Sequence, residues 1–231
     1  MKFTRKGGVS KGRLNKSSPR WISYTSMFTG LVQKRAKILS VSDSDFGVRL
    51  VISCSQWSKQ VEIGESICVA GCCLSVVENT PKNGKNIISF DVIPETLACT
   101  YFGTIPSDSE CNVERSLRAD SFLGGHFVQG HVDGCEKIIH VSKSNSDDVR
   151  LRVSMDAIDK DTIVSKGSVT IDGVSLTIAS VSASHFEVAL IPITLEESTL
   201  GTLVEGDSVH VETDMLTKTI VNVTKNMQQK C

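Results

Sequence analysis

The chain has 231 residues, 40% of them hydrophobic and 22% charged, a length that has room for one or two domains. Its formal net charge is −1, but residues 1–26 hold seven lysines and arginines and no acid, so the remaining residues, 27–231, carry −8. This acidic balance argues against a nucleic-acid-binding surface. No apolar run reaches the ~18 residues that a membrane span needs.

Residues 1–26 are basic, rich in Ser and Gly, and lack apolar periodicity. Three interpretations are open: a disordered extension or an upstream start codon, an organelle transit peptide, and a nucleic-acid-binding arm. A secretory signal is disfavoured because the segment lacks an apolar stretch of ~7–15 residues. We therefore expect a cytoplasmic protein, or an organellar one if the segment is a transit peptide.

Short strands dominate the rest of the chain. Nine runs rich in Val and Ile, bounded by Gly, Asn, Asp, Ser or Pro, have the pattern of strands: residues 47–52, 66–70, 74–77, 87–92, 149–153, 168–171, 176–181, 186–191 and 208–212. Strands of this kind in units of ~100 residues favour a small antiparallel barrel or sandwich. A barrel would leave a mouth where a ligand can sit.

Two helices are predicted, a short one at residues 156–164 and a longer one at 215–227. The longer helix carries a one-sided apolar stripe, formed by Leu216, Ile220, Val223 and Met227. Asp214 precedes it as a plausible N-cap residue. The stripe packs either between subunits or back on the chain's own barrel.

The chain repeats itself with a period of roughly 100 residues, the size of a whole small domain. Three segments align with three others: residues 71–75 with 173–177, 91–97 with 189–195, and 112–114 with 210–212. We therefore predict a tandem duplication with one version of the same pocket in each half. The N-terminal barrel is placed at residues 27–123, the C-terminal barrel at 124–214, and a helix and tail at 215–231.

Residues 124–134 contain two histidines, His126 and His131, among several glycines. On a strand, side chains five positions apart point to opposite faces, so one histidine would face the core or a neighbouring chain and the other a cavity. The glycines let a backbone approach closely. Structural histidines at a domain junction are the alternative, and a zinc site lacks a matched third ligand.

Cys73 and Ser175 occupy equivalent points of the two repeats, and each precedes Leu and a hydroxyl residue, Ser75 or Thr177. A thiol and a hydroxyl at matched positions suit binding or activation of two related ligands. No nucleophile elbow or Ser-His-Asp order surrounds them. For Cys73 a purely buried role is the alternative.

A third matched pair surrounds Pro94 and Pro192, each of which is expected to end a strand and fix a turn. Backbone groups in such turns can pair with the amide edge of a flat heterocycle. Asp172 and Asp214 are further polar candidates, with solvated strand-end aspartates as the alternative. Eight cysteines without a secretory signal indicate small buried hydrophobes in a reducing compartment.

The segment Met27-Phe28-Thr29-Gly30-Leu31-Val32 resembles the opening of riboflavin synthases of the alpha-chain type. Four further motifs follow in that family's order up to about residue 214: residues 71–75, 94–97, 124–134 and 166–177. The resemblance implies two six-stranded Greek-key barrels and a homotrimer held partly by the C-terminal helix.

The resemblance also implies a reaction without cofactor or metal. One 6,7-dimethyl-8-ribityllumazine gives another a four-carbon unit, forming riboflavin and 5-amino-6-ribitylamino-uracil in the last step of riboflavin biosynthesis. Two lumazines are expected per site, one on the N-terminal barrel of one subunit and one on the C-terminal barrel of the next. Lumazine synthase is a candidate partner, whereas no nucleic acid or membrane is expected.

Site residues are carried over from the family by motif matching. The catalytic set is Cys73, Ser175, His131 and Asp214, with His131 assigned to proton transfer and Cys73 and Ser175 to binding or activating the ring. The implied substrate-lining residues are Phe28, Thr29, Gly30, Leu31, Val32, Cys73, Leu74, Ser75, Asp91, Val92, Ile93, Pro94, Glu95, Thr96, Gly130, His131, Val132, Lys166, Ser175, Leu176, Thr177, Ala189, Leu190, Ile191, Pro192, Ile193 and Thr194.

The chain departs from the family pattern at Ala70 (commonly Asn), Ser75 (Thr), Ile193 (Glu or His) and His210 (Asn). These changes alter single contacts more than the overall assignment. One rival interpretation is a lumazine or flavin carrier without turnover, which the polar site residues disfavour. The other is an unrelated duplicated barrel that serves as a binding or assembly module.

Overall fold

The computed structural model describes residues 27–145 and 148–229, so the basic segment 1–26 lies outside the described residues. Within these ranges the chain forms twelve strands and three α-helices. They are β1 (Lys34–Ser44), β2 (Gly47–Ser55), β3 (Ser66–Val69), β4 (Cys72–Lys82), β5 (Lys85–Val92), α1 (Pro94–Cys99), β6 (Glu110–Arg115), β7 (Gly134–Asn145), β8 (Asp148–Ser154), β9 (Ser168–Ile171), β10 (Val174–Val181), β11 (His185–Leu190), α2 (Pro192–Glu197), β12 (Ser208–Thr213) and α3 (Met215–Gln228).

The strands close into two antiparallel barrels. The first has the order β1-β2-β5-β4-β3-β6 and the second β10-β11-β8-β7-β12-β9, which is the same ring traced from a different strand. The predicted duplication of a six-stranded barrel is therefore confirmed. All nine predicted strands are present, while β1, β6 and β7 were not predicted, because their apolar residues are diluted by Lys, Glu, Asn and Ser.

Each barrel is filled by its own side chains. Alternate residues of β2 and β5, such as Leu50, Ile52, Ile88 and Phe90, are completely buried in the first barrel, and Leu151, Val153, Phe186 and Val188 are their counterparts in the second. A six-stranded barrel is narrow enough for such side chains to fill. The interior of each barrel is therefore occupied by side chains, and the candidate site described below lies on the outer faces.

The helices differ from the prediction in two places. Residues 156–164 form no α-helix but a single 3₁₀ turn, Lys160–Thr162, capped by the Asp159 side chain, which accepts from the Asp161 N–H at 3.2 Å. Residues 94–97 and 192–195, predicted as turns, instead begin α1 and α2, with the proline at the start of each. A proline fits the first helical turn because an N–H at that position would have no partner within the helix.

Helix α3 confirms the predicted C-terminal helix and its N-cap: Asp214 accepts from the Leu216 N–H at 3.1 Å. One face is tied to the second barrel by Lys218, which binds Asp133, and by Lys225, which binds Asp159. The apolar stripe faces away, and Leu216, Ile220, Val223 and Met227 are all exposed. The stripe therefore does not pack on the chain's own barrel. Nowhere in the part of the chain that the structure describes is a helix long and apolar enough to cross a membrane.

The barrels pack against each other around an approximate two-fold axis. Gly71, in the turn between β3 and β4, lies against Gly173, in the equivalent turn between β9 and β10, and a Cβ added to either would come within 3 Å of the other's backbone N. Residues 27–33 and 127–133, here called the bridging segments, precede β1 and β7 and pair with each other through Phe28 and Val128. Phe28 is completely buried between the barrels, beside Cys68.

Candidate functional site

Ser175 is framed by the first bridging segment. Its N–H donates to the Gly30 carbonyl at 2.8 Å, so a residue preceding the first barrel pairs with the second. Gly30 has φ +75°, and a Cβ added there would lie 2.5 Å from the Ser175 Cβ and 2.8 Å from its backbone N. Only glycine combines this left-handed backbone with so close an approach.

Cys73 is framed in the same way by the second bridging segment. Its N–H donates to the Gly130 carbonyl at 2.8 Å, and Gly130 has φ +76°. A Cβ on Gly130 would lie 2.7 Å from both the Cβ and the backbone N of Cys73. The thiol and the hydroxyl that the repeat aligns are thus held by the same device on two different barrels.

Two buried glutamates anchor the bridging segments. Glu114, on β6, accepts from the Thr29 N–H at 2.8 Å, the Thr29 hydroxyl at 2.7 Å and the Gly30 N–H at 3.0 Å. Glu212, on β12, accepts from the N–H groups of Gln129 and Gly130 at 2.8 and 2.9 Å. Burial raises the pKa of both carboxyls, and these hydrogen bonds oppose that rise. Sequence reasoning used the two glutamates only to align the repeats and missed this role.

His126 contacts Ser175 directly, which motif matching did not predict. Its Nδ1 lies 2.7 Å from the Ser175 Oγ, and its Nε2 lies 3.3 Å from the Thr170 Oγ1. Burial lowers the pKa of His126, and the negative charge of Asp214 acts in the opposite direction. A neutral imidazole donates to one of these hydroxyls and accepts from the other, so His126 can move a proton to or from Ser175. Its position in the glycine-rich run was the available signal.

Strand alternation turns the matched thiol and hydroxyl side chains outward. Cys73 and Ser75 face out from the first barrel while Leu74, between them, is buried, and Ser175 and Thr177 flank the buried Leu176 in the same way. Val76 pairs with Phe90 on β5, which brings residues 73–75 alongside residues 91–96. The pairing of Ile178 with Val188 does the same for residues 175–177 and 189–194.

Exposed apolar side chains border both sets of hydroxyls. Ile93, at the start of α1, is 51% exposed, and Ile191 and Ile193, around the start of α2, are 60% and 56% exposed. Leu31 is likewise exposed next to Gly30. Apolar surface beside a few fixed polar groups is what a flat, partly polar ring requires. In the first barrel, Asp91 is held by the Arg49 Nε at 2.6 Å.

The other predicted residues divide between the two barrels. His131 is exposed and follows Gly130, so it belongs with Cys73 and not with Ser175. Lys166 is exposed, and its N–H donates to the Ile178 carbonyl at 2.9 Å, one residue beyond Thr177. The side chains of Leu74, Val92, Leu176 and Leu190 lie in the barrel cores, so only their backbones can face a ligand.

A separate groove of about 1200 Å³ runs beneath residues 116–122 on the first barrel. It borders the candidate site through Thr29, Leu31, Val32 and Glu114, and neither Cys73 nor Ser175 lines it. In a single chain the residues around Cys73 and those around Ser175 therefore lie on open outer faces of the two barrels. Across residues 27–145 and 148–229, no group of three or more His, Cys, Asp or Glu side chains could hold a metal ion.

Comparison with known proteins gives the following similarities. The lumazine binding domain family matches twice, at residues 29–116 and 129–214. The riboflavin synthase of Bacillus subtilis is 38% identical over 193 residues, covering 83% of this chain and 87% of that protein. The riboflavin synthase of Mycobacterium bovis is 38% identical over 195 residues, covering 83% and 95%. A solved structure of LumP in complex with 6,7-dimethyl-8-(1'-D-ribityl) lumazine superposes with a TM-score of 0.67 at 24% identity, covering 80% of this chain and 98% of that chain, and supports the fold.

Proposed function

Because this chain belongs to the riboflavin synthase family, with its lumazine binding domain present twice, we propose that it makes riboflavin from two molecules of 6,7-dimethyl-8-ribityllumazine. One lumazine transfers a four-carbon unit to the other, and 5-amino-6-ribitylamino-uracil is the second product. The reaction is a group transfer between identical substrates and uses no cofactor.

The observation that carries this proposal is the matched pair of polar groups on the outer faces of the two barrels. Cys73 and Ser175 each have a hydroxyl residue two positions on, a glycine carbonyl on the N–H, and an apolar helix start nearby. Two near-identical faces suit two copies of one substrate. Fixing two flat rings against each other can contribute roughly 7–11 kcal/mol to lowering the barrier.

Proton transfer is the chemistry left to the side chains. The C7 methyl group of the lumazine is acidic because its carbanion delocalises into the ring, so a positioned weak base suffices. We assign this role on the second barrel to His126, which is kept neutral by burial and lies 2.7 Å from the Ser175 hydroxyl. On the first barrel His131 is the corresponding base beside Cys73, and Asp214 influences His126 through its charge.

The complete site forms between subunits of a homotrimer. The faces around Cys73 and Ser175 lie on different barrels and are open in one chain, so each needs a second wall. The uncovered stripe of α3 supplies an apolar surface for the association. Lumazine synthase, whose product would be the substrate here, remains a proposed partner.

The test is to incubate the protein with 6,7-dimethyl-8-ribityllumazine and follow riboflavin by absorbance and by separation of the products. Ser175→Ala and His126→Gln should each lower kcat by ~10²-fold or more, in line with the usual contribution of acid–base groups. His185→Gln is the control, since His185 is partly exposed and its ring Nδ1 contacts only the neighbouring Ser182 and Ser184 among the described residues. Unchanged turnover in Ser175→Ala would remove the assigned role.

A carrier function is the second candidate. The structural neighbour LumP was solved with an intact lumazine bound, and it shares this fold. A carrier would bind lumazine, as seen by a change in ligand fluorescence, and yield no riboflavin on prolonged incubation. The same experiment therefore separates the two functions.

A further inference from the structure

The two halves of the chain differ where they meet. Three pairs of equivalent positions lie along the approximate two-fold axis: Ala70 with Asp172, Tyr101 with Thr199, and Asn112 with His210. In each pair the two residues have different chemistry. The differences concentrate on one side of the axis, where Tyr101, Asp172 and His210 are in contact.

Asn112 and His210 make the same two inter-barrel hydrogen bonds. Asn112 donates through Nδ2 to the Asp172 carbonyl at 2.9 Å and accepts at Oδ1 from the Thr199 N–H at 2.8 Å. The His210 Nδ1 lies 2.7 Å from the Ala70 carbonyl, and its Nε2 accepts from the Tyr101 N–H at 2.9 Å. These partners fix the neutral tautomer with the proton on Nδ1.

Tyr101 and Asp172 add contacts that the other side of the axis lacks. The Tyr101 hydroxyl donates to the Asp172 Oδ1 at 3.0 Å, and the His210 N–H donates to the same oxygen at 2.8 Å. The Tyr101 ring stacks on the His210 ring with centroids 3.7 Å apart and planes at 15°. Asp172 and His210 are 4% and 1% exposed, so these contacts form in a dry interface.

This cluster acts on the two turns that lead to Cys73 and Ser175. Ala70 and Gly71 form the turn before Cys73, and His210 holds the Ala70 carbonyl. Asp172 and Gly173 form the turn before Ser175, and Asp172 is itself a member of the cluster. Because the two turns touch at their glycines, a shift of either turn moves the other.

We propose that Tyr101, Asp172 and His210 are positioning residues, which lock the two turns together and so fix the places of Cys73 and Ser175. This inference rests on the proposed function. None of the three is assigned a contact with substrate. Their effect is on the geometry of residues that do touch it.

The charges around Asp172 make the arrangement dependent on pH. Burial raises the pKa of Asp172 to about 7, while the hydrogen bonds from His210 and Tyr101 lower it and Asp207 raises it further. The thiols of Cys111 and Cys135 also face Asp172. Burial lowers the pKa of His210 to about 4, so the His210 ring stays neutral. A carboxylate is a stronger acceptor than a neutral carboxyl, so protonation of Asp172 weakens both of its bonds.

The repeat itself supplies the conservative variant. His210→Asn should retain most activity, within about 3-fold in kcat/KM, because Asn112 makes the same pair of bonds at the equivalent position. His210→Ala leaves the Ala70 carbonyl and the Tyr101 N–H unpaired, and we expect kcat/KM to fall by about 10-fold or more through misplaced site residues. His185→Gln again serves as the control.

The pH profile of riboflavin formation is the readout that a merely structural role would not move. The wild-type acid limb should have a midpoint near neutrality. Tyr101→Phe should move that midpoint upward, since the lost hydroxyl had lowered the pKa of Asp172. Asp172→Asn should remove the fall near neutrality and leave the fall at lower pH that protonation of His126 causes. Asn is compatible with the left-handed φ of +44° at this position.

The outcomes separate the inference from the proposed function. Wild-type protein that binds lumazine without forming riboflavin overturns both. Active wild-type protein whose acid limb is the same in Tyr101→Phe and Asp172→Asn overturns the positioning role alone. If His210→Ala does not fold, Tyr101→Phe and Asp172→Asn, checked for native structure by circular dichroism, decide the question.

Discussion

Replacing Gly30 by alanine probes the contact between the first bridging segment and Ser175. The matched control is Gly84→Ala, in the turn between β4 and β5. Gly84 has φ +73°, nearly the same as the +75° of Gly30, but a Cβ added to Gly84 meets no atom within 4 Å. The pair of variants therefore shares the backbone strain and differs only in the clash.

The two costs can be separated in magnitude. A non-glycine residue in the left-handed region costs roughly 1–2 kcal/mol in either variant. At Gly30 the new methyl group also overlaps the Ser175 Cβ and N, and the N–H···O bond between the two residues leaves them little room to separate. Such overpacking typically adds ~1–3 kcal/mol. We expect the free energy of unfolding to fall by about 2–5 kcal/mol in Gly30→Ala and about 1–2 kcal/mol in Gly84→Ala.

Urea denaturation measures both values, provided that the slope m stays constant across the variants. Gly130→Ala is a second test, because its Cβ would overlap Cys73 in the same way. Equal losses in Gly30→Ala and Gly84→Ala, within about 0.5 kcal/mol, would refute the argument that a fixed contact with Ser175 requires glycine.

Three further predictions follow from other contacts. Glu114→Gln replaces one carboxylate oxygen with an amide that cannot accept from the Gly30 N–H, so calorimetry should show a loss of about 2–4 kcal/mol. Because the pKa of Asp172 is raised on folding, the folded state binds the proton more tightly, and stability should fall as pH rises from about 4 to about 7, by on the order of 2–4 kcal/mol from this group. Ile220→Glu places a charge in the apolar stripe of α3 and should convert the proposed trimer to monomers in sedimentation experiments.

Each of these has its own control. An unaffected melting temperature in Glu114→Gln would show that the glutamate does not hold the bridging segment. The pH-dependent loss should be smaller in Asp172→Asn, where Glu114 and Glu212, whose pKa burial also raises, still contribute, and an unchanged loss would show that Asp172 is not its source. Gln228→Glu adds a charge to α3 outside the stripe, and dissociation by both α3 variants would exclude a specific role for the stripe.

The repeat and the strand alternation were readable from the sequence because both depend on local pattern. Cys73 and Ser175 were found because their motifs align in the two repeats. His126 was missed for the opposite reason. The argument from alternating strand faces does not apply to residues 124–133, which belong to neither barrel's strands and whose pairing with Phe28 at Val128 is an isolated bridge.

The bridging segments were beyond local reasoning. Glu114 reaches Thr29 across 85 residues, and Gly30 reaches Ser175 on the other barrel. No periodicity encodes such pairings, which arise only when the two barrels have packed. The filled barrel interior was missed because the volume of side chains such as Phe90 becomes decisive only once the number of strands is known.

The bridging segments make the two halves reciprocal. The Gly30 N–H donates to a residue of its own half, whereas the Gly30 carbonyl accepts from Ser175 in the other half. Likewise, the Gly130 N–H donates within the second half, and the Gly130 carbonyl accepts from Cys73 in the first. In a polypeptide comprising only the first half, the Cys73 N–H and the Gly30 carbonyl would both lack the partners that the other half supplies. The second half would lack partners for the Ser175 N–H and the Gly130 carbonyl in the same way. Two such polypeptides could satisfy each other by mutual exchange, as a C₂ pair. Joining the halves in one chain replaces that concentration-dependent encounter with a tethered one, and frees each half to diverge around the shared axis.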